Sequence, residues 1–301
     1  MASAPPSLLL IDSAETRGGE LLRGLTREGY AVTPAADQAS VEALLAVEQY
    51  DLVLLDPLLP EADGYRILGA LRANPASADV PVIVVSAAGD RDNVWRCAHL
   101  GVEDYILKPY DLLAVKTRIW RCLENRRLRR RLGAVDPDAR AGDSRVLIVD
   151  DNRLNRKVLS MHLSHMGYRV DSVASGPETL EWLQSEHADL LALDIMMPEM
   201  DGFELLGQIR SAEQYGEPAV VMISAVDDVA AIERCMQLGA DDYITKPFQA
   251  AELAMRLPSC LELRRLQDRE AARERRLQEL AELGRSIGRK MSSGGSGNSV
   301  K

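Results

Sequence analysis

The chain has 301 residues, of which 46% are hydrophobic, 27% charged and 4% aromatic, which is globular material long enough for about two domains. A net charge of −10 argues against the broad basic face that nucleic-acid binding requires, and no run approaches the roughly 18 uninterrupted apolar residues of a membrane span. The opening MASAPPS lacks the charged and apolar regions of a secretory signal, so the expected setting is cytoplasmic, with neither nucleic acid nor membrane as a partner.

In chain order, short apolar runs alternate with helical patterns. Leu8 to Ile11, Ala31 to Pro34, Leu52 to Leu55, Val82 to Val85 and Asp104 to Leu107 read as strands. A helix follows from Asp111 to about Leu132, longer than a covering helix needs to be. Its Arg126, Arg127, Arg129, Arg130 and Arg131 alternate with Leu123, Leu128 and Leu132, which predicts a solvated face and not a polyanion site. Residues 133–143, within LGAVDPDARAGD, form a Gly-, Pro- and Asp-rich linker between a first domain over 1–132 and a second over 144–266.

The second domain repeats the pattern, with strands expected at Val146 to Val149, Arg169 to Val173, Leu190 to Leu193, Ala219 to Ile223 and Asp242 to Thr245. Its last helix runs from Gln249 through about Gly288, with 267–291 as an extension and 292–301 as a flexible Gly/Ser tail. Leu266, Leu277, Leu280 and Leu283 alternate there with dense Glu and Arg. Polar residues interrupt the heptad, which favours a solvated extension over a dimerising coiled coil.

One offset relates the halves. Asp12 and Asp150 are 138 residues apart, and the same distance links Asp56 to Asp194, Ser86 to Ser224, Tyr105 to Tyr243 and Lys108 to Lys246. A repeat of that length is domain-sized, so the chain is a tandem duplication. Five strands with helical crossovers imply an α/β fold: two flavodoxin-like (βα)5 domains, each a five-stranded parallel sheet covered on both faces, with the polar strand tips on one edge.

Those tips carry the chemistry. Asp150 and Asp151 end the first strand of the second copy, Asp194 the third, Ser224 the fourth and Lys246 the fifth. Three neighbouring carboxylates repel unless a divalent cation neutralises them, and hard oxygen ligands suit Mg²⁺. Asp194 could then attack a phosphoryl group to give an aspartyl phosphate, with Lys246 and Ser224 offsetting charge on the phosphoryl oxygens. The alternative, that the acids merely cap helices, accounts poorly for a full set at matching strand ends. The four cysteines, Cys97, Cys122, Cys235 and Cys260, contain no C-x-x-C pair and are expected to be reduced, packed thiols; His162 and His165 have no acid cluster to make them a metal pair.

Both copies resemble response-regulator receiver domains of two-component signalling. The resemblance is carried by VLIVDDN (Val146 to Asn152), LDIMMPEMDG (Leu193 to Gly202), ISA (Ile223 to Ala225) and DDYITKPF (Asp241 to Phe248). It implies that Asp194 takes phosphate from a histidine kinase or phosphotransfer protein. Asp150, Asp151 and the Met196 carbonyl would hold Mg²⁺, and Tyr243 would be a switch aromatic that rotates as Ser224 moves. The first copy keeps Asp12, Asp56, Ser86, Tyr105 and Lys108 as weaker counterparts, but Ser13 stands where the resemblance puts a metal ligand, Asp151. Either Asp56 is phosphorylated weakly, or the first copy is a pseudo-receiver used for docking, the reading preferred. Met196 and Val226 are apolar where relatives tune hydrolysis, which implies a long-lived phosphate.

The resulting expectation is a phosphorelay response regulator without an output domain and not itself an enzyme, acting on a downstream protein effector or by homodimerising. The alternative is the regulatory front half, or a paralogue, of a receiver-controlled enzyme such as a diguanylate cyclase or phosphatase. A transcription regulator ranks last, because no helix-turn-helix segment follows Gly288.

Overall fold

The computed structural model describes residues 4–12, 18–59, 63–87, 100–133, 144–225, 229–248 and 250–293. Ser13, Cys97, Val226, most of the expected linker and most of the expected tail lie outside the described residues. The first copy contains β1 (Ser7–Ile11), α1 (Gly18–Arg27), β2 (Ala31–Ala35), α2 (Gln38–Val47), β3 (Leu52–Leu55), α3 (Gly64–Ala73), β4 (Val82–Ala87), β5 (Asp104–Lys108) and α4 (Leu112–Leu132). The second contains β6 (Arg145–Val149), α5 (Arg153–His165), β7 (Arg169–Val173), α6 (Gly176–Ser185), β8 (Leu190–Asp194), α7 (Gly202–Ser211), β9 (Ala219–Ser224), α8 (Val229–Gln237), β10 (Asp242–Thr245) and α9 (Ala250–Ser293).

Each copy forms one five-stranded parallel sheet, in the order β2-β1-β3-β4-β5 and β7-β6-β8-β9-β10. The central runs LVLL of β3 and LLALD of β8 are buried along their whole length, as strands covered on both faces must be. Because every connection is a crossover, all strand C-termini point the same way, which gathers the polar tips on one edge. Helix starts follow local chemistry: Asp63 and Asp201 cap α3 and α7, their carboxylates accepting from Tyr65 N–H at 2.9 Å and Glu204 N–H at 2.7 Å.

The copies pack through their last helices and last strands. Ala251 and Met255 of α9 join the core of the first sheet, while Ala114 of α4 joins that of the second. Further along, Leu128 of α4 meets Leu263 and Leu266 of α9 in a cluster of its own, with Leu132 against it. Arg127, Arg129, Arg130 and Arg131 of α4 are exposed, as a solvated face requires, and the run also makes specific contacts. Arg126 donates to the carbonyls of Tyr50 and Asp51 at 3.0 and 2.7 Å, Arg129 Nε reaches Glu262 of α9 at 2.6 Å, and Arg131 pairs with Glu270. The acidic partners come from the other copy's helix, which a reading of α4 alone does not contain.

The three described cysteines, Cys122, Cys235 and Cys260, are free and buried, and burial pushes the Cys235 thiol up to about 11. A thiol so raised is poorly nucleophilic at neutral pH, which fits a packing role. No helix among the described residues is long and apolar enough to cross a membrane.

Candidate functional site

In the second copy the polar strand tips converge. Carboxylate oxygens of Asp150, Asp151 and Asp194 lie within 4.8 Å of one another. Lys246 Nζ bridges two of them, 2.8 Å from Asp150 Oδ2 and 2.7 Å from Asp194 Oδ2. Asp150 and Asp194 are buried, whereas Asp151 is exposed at the mouth.

Neighbouring strands fix the lysine. Lys246 N–H donates to the Ser224 carbonyl at 2.6 Å, continuing the ladder that pairs Thr245 with Ser224. Ser224 itself is buried at the end of β9. The capping alternative is settled locally. Asn152 is the N-cap of α5, accepting from Leu154 N–H at 2.8 Å and Asn155 N–H at 3.4 Å, so Asp150 and Asp151 are not that helix's cap.

Burial raises the Asp194 carboxyl above its ordinary range; Lys246 opposes the rise and Asp150 adds to it. For Lys246, burial alone would lower the ammonium, but its hydrogen bonds to Asp150 and Asp194 outweigh that and raise it. Three carboxylates facing one ammonium leave two negative charges in a half-buried pocket, which is costly without a further cation. All-oxygen donors and a net charge of that sign fit a hard divalent ion such as Mg²⁺.

Two contributors were not singled out from the sequence. Asn155 Nδ2 donates to both oxygens of Asp150, at 3.2 and 3.0 Å, and Arg156 donates to the carbonyls of Asp150 and Asp151 at 2.6 and 2.9 Å. Together they hold the acidic turn in place. The 138-residue offset carried their signal, since Arg17 and Gly18 occupy the matching places in the first copy.

Glycine at the start of α7 is a steric requirement. A Cβ on Gly202 would lie 2.3 Å from the Asp194 carbonyl oxygen, and one on Gly64 would lie 2.6 Å from Pro57 Cα in the first copy. The Asp-Gly pair therefore lets the helix close onto the loop that follows the acidic residue. Asp194 Oδ1 accepts from Met196 N–H at 3.3 Å in that loop, and the Met196 side chain is 65% exposed.

The first copy assembles a reduced version. Lys108 Nζ is 2.7 Å from Asp56 and 3.9 Å from Asp12, and Leu58 N–H donates to Asp56 at 2.8 Å. Among the described residues no third acid joins them. The Ser86 hydroxyl is buried with no hydrogen-bond partner among the described residues.

Tyr243, three residues before Lys246, is buried and faces the other copy, its ring 5.5 Å from the Arg118 guanidinium. Tyr105 and Tyr243 both line a cavity of about 440 Å³ between the copies, with Lys108, Arg118, Met255 and Arg256. Beneath it lies a buried ion cluster. Arg121 of α4 bonds both Asp104 and Asp242, which are 138 residues apart and start the last strand of each copy. The position matching Arg121 in the second copy is Ser259, so Arg121 has no counterpart there and reaches both aspartates from α4.

Comparison with known proteins agrees with this architecture. The sequence model of the response regulator receiver domain matches twice, over residues 8–119 and 146–257. The chain is 26% identical over 274 residues to the response regulator PleD of Caulobacter vibrioides, covering 87% of this chain and 60% of PleD. It is 40% identical over 128 residues to the response regulator MprA of Mycobacterium ulcerans, covering 42% of this chain and 54% of MprA. The chain thus spans little more than half the length of these curated relatives. Among solved structures, the receiver domain of the Pseudomonas aeruginosa sensor histidine kinase PA1611, with a magnesium ion in its active site cleft, is 30% identical. That match covers 39% of this chain and 97% of the other, with a TM-score of 0.37. With the receiver pattern matched in both halves, the chain belongs to the response regulator receiver domain family, as two receivers in tandem.

Proposed function

We propose that this chain is a phosphorelay response regulator in which Asp194 is the phosphoacceptor and the first copy docks. The observation that carries the reading is the bridge from Lys246 to Asp150 and Asp194 beside the exposed Asp151. A carboxylate oxygen of Asp194 forms the new bond to phosphorus as the P–N bond of a phosphohistidine donor breaks, the departing ring nitrogen keeping the electron pair. Asp150, Asp151, Asp194 and the Met196 carbonyl would hold Mg²⁺, which supplies charge neutralisation at the phosphoryl oxygens when bound. Lys246, drawn from its carboxylate partners, offsets charge on one phosphoryl oxygen, and the Ser224 hydroxyl donates to another.

The readout runs through Tyr243. Its ring lies 5.5 Å from the Arg118 guanidinium of the first copy, and its strand β10 pairs with β9, which ends in Ser224, so a shift of β9 and β10 is felt at the contact between copies. Such a switch is a population shift between two packings that the phosphoryl group biases. Weaker counterparts at Asp12, Asp56, Ser86, Tyr105 and Lys108 give the first copy less negative charge to attract a cation. The immediate donor is a histidine kinase or phosphotransfer protein, and the recipient of the signal is a protein effector.

Beryllofluoride, a phosphoryl mimic, tests the site on the full chain. Mg²⁺-dependent binding is expected to disappear in Asp194→Ala and to persist in Asp56→Ala; equal binding by both variants would overturn the assignment.

A further inference from the structure

The last helix carries a seam that is covered for its first part and open for its second. Leu263, Leu266, Glu270, Arg273, Leu277 and Leu280 follow one another at spacings of three and four residues without a break, so they share one stripe of α9. The polar residues that interrupt this stripe are Glu270 and Arg273. The structure gives them a local reason. Leu263 and Leu266 are buried against Leu128 and Leu132 of α4. One step on, α4 ends, and the two polar positions serve that end. Glu270 pairs with Arg131 and lies 3.3 Å from Arg127, and Arg273 donates to the Arg131 carbonyl at 3.4 Å.

Beyond α4 the stripe turns apolar again and is open among the described residues. Leu277 and Leu280 are 56% and 60% exposed, and every residue from Ala271 to Glu282 is exposed. In the sequence the next seam positions are Gly284, Ile287 and Met291. Arg275, Arg276, Gln278, Glu279 and Glu282 occupy the outer surface, and in the seven residues from Leu277 the sequence places Ala281 and Leu283 beside the two seam leucines. A seam at alternating spacings of three and four, flanked by small and apolar residues, fits a partner helix.

We infer that Leu277 and Leu280 are the start of a parallel, two-stranded coiled coil with a second copy of this chain. Continuity is the first argument: the open stripe extends an existing helix–helix interface in the same register. A twofold pair brings each stripe against an identical one, so a second copy offers the stripe a self-complementary partner. Charge is the second argument. The flanking positions that meet in a parallel pair are Arg276 with Ala281 and Leu283 with Gly288, so no like charges oppose. The pairing rests on the α4–α9 packing and does not require phosphorylation of Asp194.

Sedimentation of the full chain, without Mg²⁺ or phosphoryl donor, tests it. Wild type is expected to show a concentration-dependent dimer. Leu277→Glu combined with Leu280→Glu should weaken that dimer by at least ~100-fold, since it replaces two buried apolar side chains with charges on each helix. Glu282→Lys, on the outer face, should leave it intact. Unchanged beryllofluoride binding by the double variant would show that the receivers remain folded. In the parallel register, Leu280→Cys should form an intermolecular disulfide with diamide, which takes up the two electrons and two protons released. A wild-type monomer at every concentration, or a dimer indifferent to both leucines, overturns the inference and leaves the Asp194 assignment untouched.

Discussion

Arg121 of the first receiver forms a buried ion pair with Asp242 of the second, and its other nitrogen pairs with Asp104 of its own copy. Arg121 is 1% exposed and both aspartates are fully buried. Arg256 adds to the cluster from α9, 3.9 Å from Asp104 and 4.0 Å from Asp242. Because Asp242 directly precedes Tyr243, the contact between copies is anchored on the strand that carries the proposed switch.

Removing the central cation leaves two buried carboxylates short of charge. Arg121→Met is expected to destabilise the chain by about 3–5 kcal/mol, the range for breaking a buried pair from one side. Asp104→Asn and Asp242→Asn introduced together with it should recover part of the loss. Urea unfolding of the three proteins checks this; a loss under about 1 kcal/mol for Arg121→Met would put the pair among surface bridges in importance.

Acid stability follows from the same cluster. Burial alone would raise the Asp242 carboxyl, but Arg121, then Arg256 and Arg118, outweigh it and hold the group at about 2. A depressed carboxyl contributes stability that is complete above its unfolded value of about 3.9 and is lost as pH falls toward the folded value. Wild type should therefore lose this contribution only between about pH 4 and 2. In Arg121→Met the folded value rises toward or past the unfolded one, so the contribution shrinks and its loss begins at higher pH. Unfolding midpoints against pH measure the difference, and superimposable profiles would contradict it.

Gly202 tests the loop geometry. Gly202→Ala forces a methyl against the Asp194 carbonyl and Ile195 Cα, which rigid backbone cannot easily yield. A loss of about 1–3 kcal/mol is expected, with weaker Mg²⁺ binding. Gly207→Ala, where a Cβ meets nothing within 4 Å, should be neutral or stabilising. Comparable losses at both positions would show that helix propensity, not the close approach, decides.

Asn155 and Arg156 orient the acidic turn. Asn155→Ala is expected to weaken Mg²⁺ binding about 10-fold or more, the effect of losing a group that positions a metal ligand. Calorimetric Mg²⁺ titration of the full chain reads this, and unchanged affinity would remove Asn155 from the site.

Much of this was legible in the residues. The apolar runs gave both sheets because strands buried on both faces are continuously hydrophobic, and the shared edge followed from parallel crossovers. The polar tips were readable because Asp150, Asp194, Ser224 and Lys246 each terminate such a run. What the sequence hid depends on distance across the fold. Arg121 looks like one basic residue in a helix until β5 and β10 bring Asp104 and Asp242 to it. Glu262 and Glu270 are more than 130 positions from the arginines they meet, so the exposed α4 run showed nothing of the ion pairs it makes with α9. The end of α4, which Glu270 and Arg273 serve, is not visible from α9.

The division of labour between the copies is the central claim, and it rests on three carboxylates around Lys246 against two around Lys108 among the described residues. Incubation of the full chain with Mg²⁺ and a small acyl phosphate, followed by intact mass measurement, tests it most directly. One phosphoryl group should appear on wild type and on Asp56→Ala, and none on Asp194→Ala. Phosphorylation retained by Asp194→Ala and lost by Asp56→Ala would contradict the account.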